Sequence, residues 1–514
     1  MERLQYRESY LRQLIAIAVV IGSVLLTMAL TSAMADGINS VTIFLLLAGL
    51  GLPLGITAIM HWRLAFYIVI FLIVFEGIPR NLSNQVGVLL VKDVLLGFTY
   101  LGYFREYRFT TFLKPKLRIL STLLLVISSY SLAEMINPSL TSPLIGLIGI
   151  KTLLFYMPLV YLGYELITDG SKLVKFVVFV MVLTNLSCLL GIYQYIGGYA
   201  VIKFFQPVQI FSSLGGLGEY YKFPGSFAAA GNFAGFLQIS FALSLGMLYC
   251  QGSRRLKAFS LLTAANCSLV SVLMGQRSSW IFILLCLILG SIALSGNNKA
   301  RLARLGIAGL LVFGFFLAIS STDNIIGDRF SQFSSGTGFQ QYLVDAPTGS
   351  VANQLSRLTT GGTVFGRGIG MASPGARYFN TDREFIEAYT ADLIFELGFP
   401  GLILVFGMLF YLVWLACQAL YAVTDLRYNN IIYYGLIVMV YLIIGSITYA
   451  PLTVPPNGQF FWLLPGMFIG LQSRVTQQVS LKELLLRKVS NNPRTYRELP
   501  LNSTGVPPGN FPLS

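Results

Sequence analysis

Apolar runs long enough to cross a bilayer recur from one end of this chain to the other. Because a helix rises about 1.5 Å per residue, about 20 apolar residues span a hydrocarbon core of about 30 Å. Only 11% of the 514 residues are charged and 55% are hydrophobic, whereas a soluble domain carries about 25% charged residues. The sequence therefore predicts an all-α, polytopic membrane protein. It excludes a soluble globular enzyme, a disordered chain and a disulfide-stapled secreted domain.

Hydropathy predicts about fourteen transmembrane helices, an even number that places both termini on one side. The first run is long for a signal peptide, so we interpret it as a retained helix, although Ala33-Met34-Ala35 resembles a cleavage site. The predicted spans are 14–31, 41–60, 64–79, 86–104, 118–134, 143–165, 173–196, 226–250, 257–274, 279–295, 305–322, 399–419, 430–450 and 457–472.

Lys and Arg residues separate between the two predicted sides. Of the 35, 24 lie in or beside segments predicted to be cytoplasmic, nine lie in outer segments, and Lys92 and Lys151 lie within spans. Cytoplasmic loops of membrane proteins carry this excess, so topology explains the net charge of +14 better than nucleic-acid binding does. We predict one integral membrane domain over 1–472, a basic, partly disordered cytoplasmic tail over 473–514, and cytoplasmic termini.

Two predicted outer loops, about 197–225 and 323–398, are long. The second is Gly-rich and too long for a connector, which indicates a function. Its last part, Asp382 to Leu397, predicts a short helix that Gly398-Phe399-Pro400-Gly401 ends.

Arg277 stands in a tight outer turn, Met274 to Ser279, between two apolar helices. A guanidinium there suits an anion clamp, because it binds phosphate oxygens in pairs. Snorkelling of the side chain toward lipid headgroups is the structural alternative.

The first outer loop ends in a segment with several candidate binding residues. Lys222 suits a second phosphate contact, Asn232 a sugar or a loop brace, and Gly225 with Gly231 a close backbone approach to a ligand. An ordinary loop-to-helix entry explains the same residues without a ligand.

The second outer loop contains Gly366-Arg367-Gly368-Ile369-Gly370. A dinucleotide site is rejected because the motif lacks its strand and helix, which leaves a turn that packs against a headgroup or a sugar. The acids that follow suit a general base or a solvated helix face. Asp392 and Glu396, four apart, share a helix face, whereas Glu387 and Glu396 lie on opposite faces of a straight helix.

Asp93 and Lys151 lie inside apolar spans, where charges are costly and usually paired. We predict an ion pair between two helices, with a proton or ion path as the alternative. His61, the one histidine, lies on the predicted cytoplasmic side. The five cysteines show no metal-ligand spacing, so no metal or other cofactor is predicted.

Three segments resemble the O-antigen polymerase and ligase family of bacterial polytopic glycosyltransferases. They are Lys222 to Asn232 (KFPGSFAAAGN), Gly275 to Ser278 (GQRS), and Gly366 to Gly401 with its Glu-x-Gly-x-x-Gly ending, within about residues 210–420. The family usually has Arg where Lys222 stands and Pro where Gly231 stands. Its ligases carry a His at the position of Glu387, which favours a polymerase.

The resemblance implies a fold like that of the C-type glycosyltransferases (GT-C) and metal-independent glycosyl transfer at the outer face of a bacterial inner membrane. The implied substrates are undecaprenyl-diphosphate-linked oligosaccharides, polymerised for O-antigen or exopolysaccharide, and a chain-length regulator is an implied partner. Arg277, Lys222 and Arg367 would bind the diphosphate, and Glu387 would act on the acceptor hydroxyl. Asn232, Glu396 and the glycines at 225, 366, 368 and 370 would shape the site.

Three alternatives stay open at this point. The first is an O-antigen ligase. The second is a solute or inorganic-carbon transporter of the same family, which would place charged residues along a path at mid-membrane depth. The third is a scaffold protein whose loops serve as docking sites.

Overall fold

The computed structural model describes residues 53–82, 86–205, 222–293, 364–373 and 388–491, except 109, 141, 251 and 424, and the single positions 51, 349, 352 and 356. Its description stops at the backbone for residues 80–82, 86–90, 199, 203–205, 277, 293, 426–427 and 478–491.

Within these residues the chain forms helices and no strand. Seven helices are long and apolar enough to cross a membrane, which confirms the prediction of an all-α membrane protein. In chain order the helices are α1 (Trp62–Phe75), α2 (Gly77–Leu82), α3 (Val86–Tyr107), α4 (Pro115–Glu134), α5 (Pro143–Leu154), α6 (Leu159–Leu166), α7 (Gly170–Phe205), α8 (Ala230–Leu248), α9 (Arg254–Leu273), α10 (Arg277–Ala293), α11 (Tyr389–Ala422), α12 (Leu426–Gly445) and α13 (Asn457–Asn491).

Most predicted spans coincide with a helix, but several boundaries differ. The predicted spans 14–31 and 305–322 and most of 41–60 lie outside the described residues, so the count of fourteen stays a prediction. The predicted span 143–165 is confirmed as a candidate span, Pro143–Leu166, and counts as one of the seven. It consists of two helices, α5 and α6, because the chain turns before Pro158, which has no N–H to continue α5. Helix α7 passes the predicted end at 196 and breaks at Gly198, whose φ is +62°. Helix α13 continues through the predicted domain boundary at 472.

Helix α8 is the centre of the bundle. It packs against α7, α9, α10 and α12, and nearly all of its side chains are buried. Small residues bring other helices together: a Cβ on Gly466 of α13 would lie 2.0 Å from the Val160 carbonyl oxygen of α6. Close backbone approach of this kind drives helix association where lipid is as apolar as the side chains.

Charged residues that the sequence assigns to the cytoplasm lie together at one end of the bundle. This end, defined by Glu165 and its partners, is called the far end. Glu165 is buried there and accepts hydrogen bonds from Lys114, from Arg474 at 3.2 Å and from the Thr111 hydroxyl at 2.9 Å. Lys114 and Arg474 thus share one end of the bundle, as the predicted alternation requires.

The predicted pair between Asp93 of α3 and Lys151 of α5 is confirmed. Lys151 Nζ lies 2.6 Å from Asp93 Oδ2, and the Tyr156 hydroxyl donates to Asp93 Oδ1 at 2.6 Å. Lys92 forms a separate ion pair with Glu76. Each of these cations therefore has a carboxylate partner, which offsets the high cost of a charge among apolar helices.

Candidate functional site

A cavity of about 1350 Å³ opens at the end of the bundle opposite the far end. This end is called the cavity end. Two backbone hydrogen bonds join separate segments at this end: Gly77 N–H donates to the Ser226 carbonyl, and Tyr389 N–H donates to the Tyr449 carbonyl. The cavity is polar at this end and becomes apolar as it descends between α10, α11 and α12.

Four helices begin at the polar part of the cavity. Residues of their first turns line it: Asn232 of α8, Ser278 of α10, Tyr389 of α11 and Asn457 of α13. A helix N-terminus carries about half a positive charge. In α11 the first two N–H groups, of Tyr389 and Thr390, already donate to the Tyr449 and Ser446 carbonyls, so the helix dipole remains as the favourable contribution there. Four such termini around one cavity favour an anion in its polar part, whereas Asp392 and Glu396, which also line it, oppose one.

Lys222 adds a cation beside this cavity. Its ammonium donates to Gln276 Oε1 at 3.2 Å, and the Gln276 amide donates to the Ser278 hydroxyl at 3.1 Å. Gln276 and Ser278 line the cavity, whereas Lys222 is not part of its lining. The turn before α10 therefore links a lysine to the cavity wall through one amide.

Two carboxylates of α11, Asp392 and Glu396, line the cavity. Their four-residue spacing predicts this shared face, and the prediction is confirmed. Glu396 Oε1 accepts a hydrogen bond from Ala372 N–H at 2.9 Å. This bond joins the helix to the glycine-rich segment and fixes the carboxylate at the cavity wall.

The glycine-rich segment, residues 364–373, docks on α11. Arg367 N–H donates to the Phe395 carbonyl at 2.8 Å and Gly368 N–H to the Glu396 carbonyl at 3.1 Å. Gly366 and Gly370 have positive φ angles, and a Cβ on either would lie within 2.6 Å of backbone atoms of α11 or α5. These glycines permit close packing of backbone on backbone, and the segment presents Ala372 and Ser373 to the cavity.

Two buried polar atoms of the cavity wall lack partners among the described residues: Ser373 Oγ and Asn457 Oδ1. Gly235 of α8 leaves room for the Asn457 amide, because a Cβ there would lie 2.2 Å from its oxygen. An unsatisfied buried polar group costs about 1–3 kcal/mol, so both atoms favour a polar ligand in the cavity.

The structure brings some predicted site residues together and separates others. Asn232 and Glu396 line the cavity, and Lys222 reaches it through Gln276. Arg367 is exposed, with its guanidinium 5.3 Å from the Phe395 ring centre, and is not part of the lining. Gly225 is buried and exchanges two hydrogen bonds with the Gln194 side chain. Gly366, Gly368 and Gly370 also lie outside the lining.

The positions of two predicted catalytic side chains are not described by the structure. Arg277 begins α10, next to two lining residues, but its side chain is outside the described part of the structure. Glu387 is outside the described residues, one position before Ala388, the N-cap of α11. Their roles stay predictions.

Sequence reasoning missed Asn457, Ser373 and Cys417, which line the cavity. The sequence contains a pattern that points to Asn457, since this amide follows Pro455-Pro456 at the start of an apolar span. Ser373 had none, because its place depends on how the glycine-rich segment docks.

Among the described residues no group of three or more His, Cys, Asp or Glu is placed to hold a metal ion. The fold and the cavity define a class of protein: a helical membrane protein whose cavity joins a polar end, with two carboxylates and four helix N-termini, to an apolar groove. No protein-family model matches the chain, and no curated protein has a similar sequence.

Proposed function

We propose that this protein is a membrane glycosyltransferase of the polysaccharide-polymerase type, acting on saccharides linked to undecaprenyl diphosphate. One observation carries the proposal: a single cavity combines four helix N-termini and two carboxylates with an apolar groove between three helices. An amphiphile with an anionic diphosphate, a hydroxyl-rich saccharide and a long apolar tail matches each part. The family resemblance of the three sequence segments points to the same substrates.

The transfer step has a simple balance of atoms. A hydroxyl oxygen of the acceptor saccharide forms a bond to the anomeric carbon of the donor. The bond between that carbon and the diphosphate oxygen breaks, and its electron pair leaves with the lipid diphosphate. The hydroxyl proton goes to a carboxylate of the protein.

The cavity wall supplies groups for each part of this step. Lys222 and the four helix N-termini stabilise the charge that develops on the departing diphosphate, and we expect Arg277 to join them. Glu396, held by Ala372 N–H, and Asp392 are the described carboxylates at the cavity. Glu387 remains the base that the family resemblance favours.

A transporter is the second candidate. Transport requires a polar path through the membrane, and the predicted carriers of such a path were Asp93 and Lys151. Neither residue lines the cavity, and the two form an ion pair with each other. These contacts favour the enzyme.

The proposal is tested by polymerisation in proteoliposomes. The substrate is lipid-linked saccharide extracted from host cells that lack the gene, where unpolymerised units accumulate. We expect the wild-type protein to produce a ladder of polymers. Lys222→Ala should slow it by about tenfold, because a cation held one side chain away from the departing diphosphate contributes about 2 kcal/mol at an effective dielectric constant of about 20. Glu396→Gln should slow it by a comparable factor.

Lys257→Ala is the matched control, since Lys257 is exposed on α9 and does not line the cavity. It should polymerise at the wild-type rate. A wild-type protein that consumes none of the substrate would refute the proposal. Single transfers onto a lipid A core acceptor, without a ladder, would identify a ligase instead.

A further inference from the structure

Two asparagines meet between α7 and α9, and one of them has an amide that is only partly bonded. Asn266 of α9 donates through Nδ2 to Asn185 Oδ1 of α7 at 2.7 Å. The Asn185 amide nitrogen donates to the Met181 carbonyl and to the Thr263 hydroxyl, each at 2.8 Å. Among the described residues nothing donates to Asn266 Oδ1, and Asn266 is partly exposed. One N–H and the carbonyl oxygen of Asn266 are therefore open at the surface of the bundle.

This open amide lies deep in a helix that is apolar enough to cross the membrane. Asn266 is twelve residues after Arg254, which begins α9, and seven before Leu273, which ends it. At 1.5 Å per residue these separations are about 18 Å and 10 Å. Water is absent at that depth of a hydrocarbon core of about 30 Å, so an open amide there is costly unless another polar group meets it.

Apolar side chains surround the open amide. Leu189 of α7 is 62% exposed, and Leu262 and Leu269 of α9 are 53% and 48% exposed. Ala265, next to Asn266, is exposed as well, and a small side chain there lets another helix approach closely. These five residues are called the asparagine face. The face combines one polar group with apolar surface, which is typical of contacts between helices in membranes.

The chemistry of the amide indicates which partner covers it. A primary amide is both donor and acceptor, so two amides satisfy each other by two parallel hydrogen bonds. Acyl chains of lipids offer no such group. The predicted spans that lie largely outside the described residues, 14–31, 41–60 and 305–322, contain no Asn, Gln, His or charged residue and offer only hydroxyls. A second copy of this chain offers the same amide in the same apolar surroundings.

We propose that the asparagine face is the interface of a homodimer in the membrane. A two-fold axis along the membrane normal pairs Asn266 of one copy with Asn266 of a second, and each amide donates to the carbonyl oxygen of the other. Ala265 lets the two α9 helices approach, and Leu262 and Leu269 pack on either side. No described residue of α7 or α9 lines the cavity. The dimer therefore leaves the cavity free, and this inference does not depend on the proposed function.

Disulfide crosslinking of single cysteines in native membranes locates the interface. The background is Cys417→Ser, because the other four cysteines are buried. With copper phenanthroline as oxidant, we expect Ala265→Cys to form an intermolecular disulfide, seen as a dimer on a non-reducing gel. Ile403→Cys is the control, since Ile403 is 56% exposed on α11, and it should stay monomeric at the same protein density. No dimer from Ala265→Cys, or equal dimer from both variants, would overturn the interface.

Energy transfer between two labelled populations in proteoliposomes measures the affinity over a range of protein-to-lipid ratios. We expect Asn266→Leu to weaken the dimer by about tenfold, which corresponds to about 1.4 kcal/mol and is typical of hydrogen bonds between membrane helices. Ser268→Ala is the matched control. Ser268 is partly exposed on the same helix, but its hydroxyl donates to the Ala264 carbonyl at 2.9 Å. This variant should dimerise like the wild type.

A second variant tests the same face without removing the amide. Ala265→Phe adds bulk at an exposed position, so the monomer should fold normally and the dimer should weaken by about tenfold or more. Unchanged affinity in Asn266→Leu or in Ala265→Phe would overturn the proposal. A wild-type protein that stays monomeric at every protein-to-lipid ratio would also overturn it, and would mean that another segment of the chain covers the asparagine face.

Discussion

At the scale of single residues, Asp93 and Lys151 show how a charge is held among apolar helices. Asp93 is buried, and its two oxygens meet the Tyr156 hydroxyl and the Lys151 ammonium, each at 2.6 Å. Lys151 belongs to α5, which also contributes Gly149 and Thr152 to the cavity lining. The ion pair therefore fixes one wall of the cavity without facing it.

Breaking this pair on one side should destabilise the protein more than removing both charges. We expect Lys151→Met to lower the free energy of unfolding by about 3 kcal/mol, because it leaves the buried Asp93 without its cation. The double variant Asp93→Asn, Lys151→Met should recover more than half of that loss. Unfolding by titration with sodium dodecyl sulfate measures both. Equal losses in the single and double variants would mean that the pair is not coupled.

The residue chemistry of the site was partly readable from sequence. The spacing of Asp392 and Glu396 predicts their shared face, and the motif around Asn232 predicts a site residue that does line the cavity. The roles of the glycines were not readable, because whether a glycine approaches a ligand or another backbone depends on the tertiary contact. Gly366 and Gly370 approach backbone.

At the scale of elements, the break in α11 organises the cavity end. Gly398 has a φ of +67°, and a Cβ there would lie 2.2 Å from the Val364 carbonyl oxygen. The break lets Phe399 N–H donate to the Val364 carbonyl at 3.0 Å. Helix α11 therefore binds the glycine-rich segment both before Gly398, at Phe395 and Glu396, and after it, at Phe399. The sequence predicts a break at this glycine but not the segment that packs on it, since that contact is long-range.

Gly398→Ala should release the glycine-rich segment. A side chain at this φ costs about 1–3 kcal/mol in addition to the steric clash. We expect faster amide hydrogen exchange at Arg367, Gly368 and Ala372, whose N–H groups bond to α11. Gly407→Ala on the same helix is the control, because nothing lies within 4 Å of its Cβ position. Unchanged exchange in Gly398→Ala would contradict the docking role.

At the scale of the whole molecule, hydropathy predicts the helices well because length and apolarity are local properties of the chain. It does not predict the turn before Pro158 or the continuation of α13 beyond residue 472. Hydropathy also does not predict the cavity, since four helix N-termini meet there only after the bundle has packed. The sides of the membrane were predicted from Lys and Arg alone, and the described ends of the bundle separate those residues in the same way.

The central claim is that the cavity end faces away from the cytoplasm, as the proposed function requires. Single cysteines test it most directly in a Cys417→Ser background, because the remaining cysteines are buried. Gly231→Cys reports the cavity end and His61→Cys the far end, and both native residues are exposed. A membrane-impermeant maleimide added to intact spheroplasts should label Gly231→Cys and label His61→Cys only after permeabilisation. Labelling of His61→Cys but not Gly231→Cys in intact spheroplasts would contradict the account.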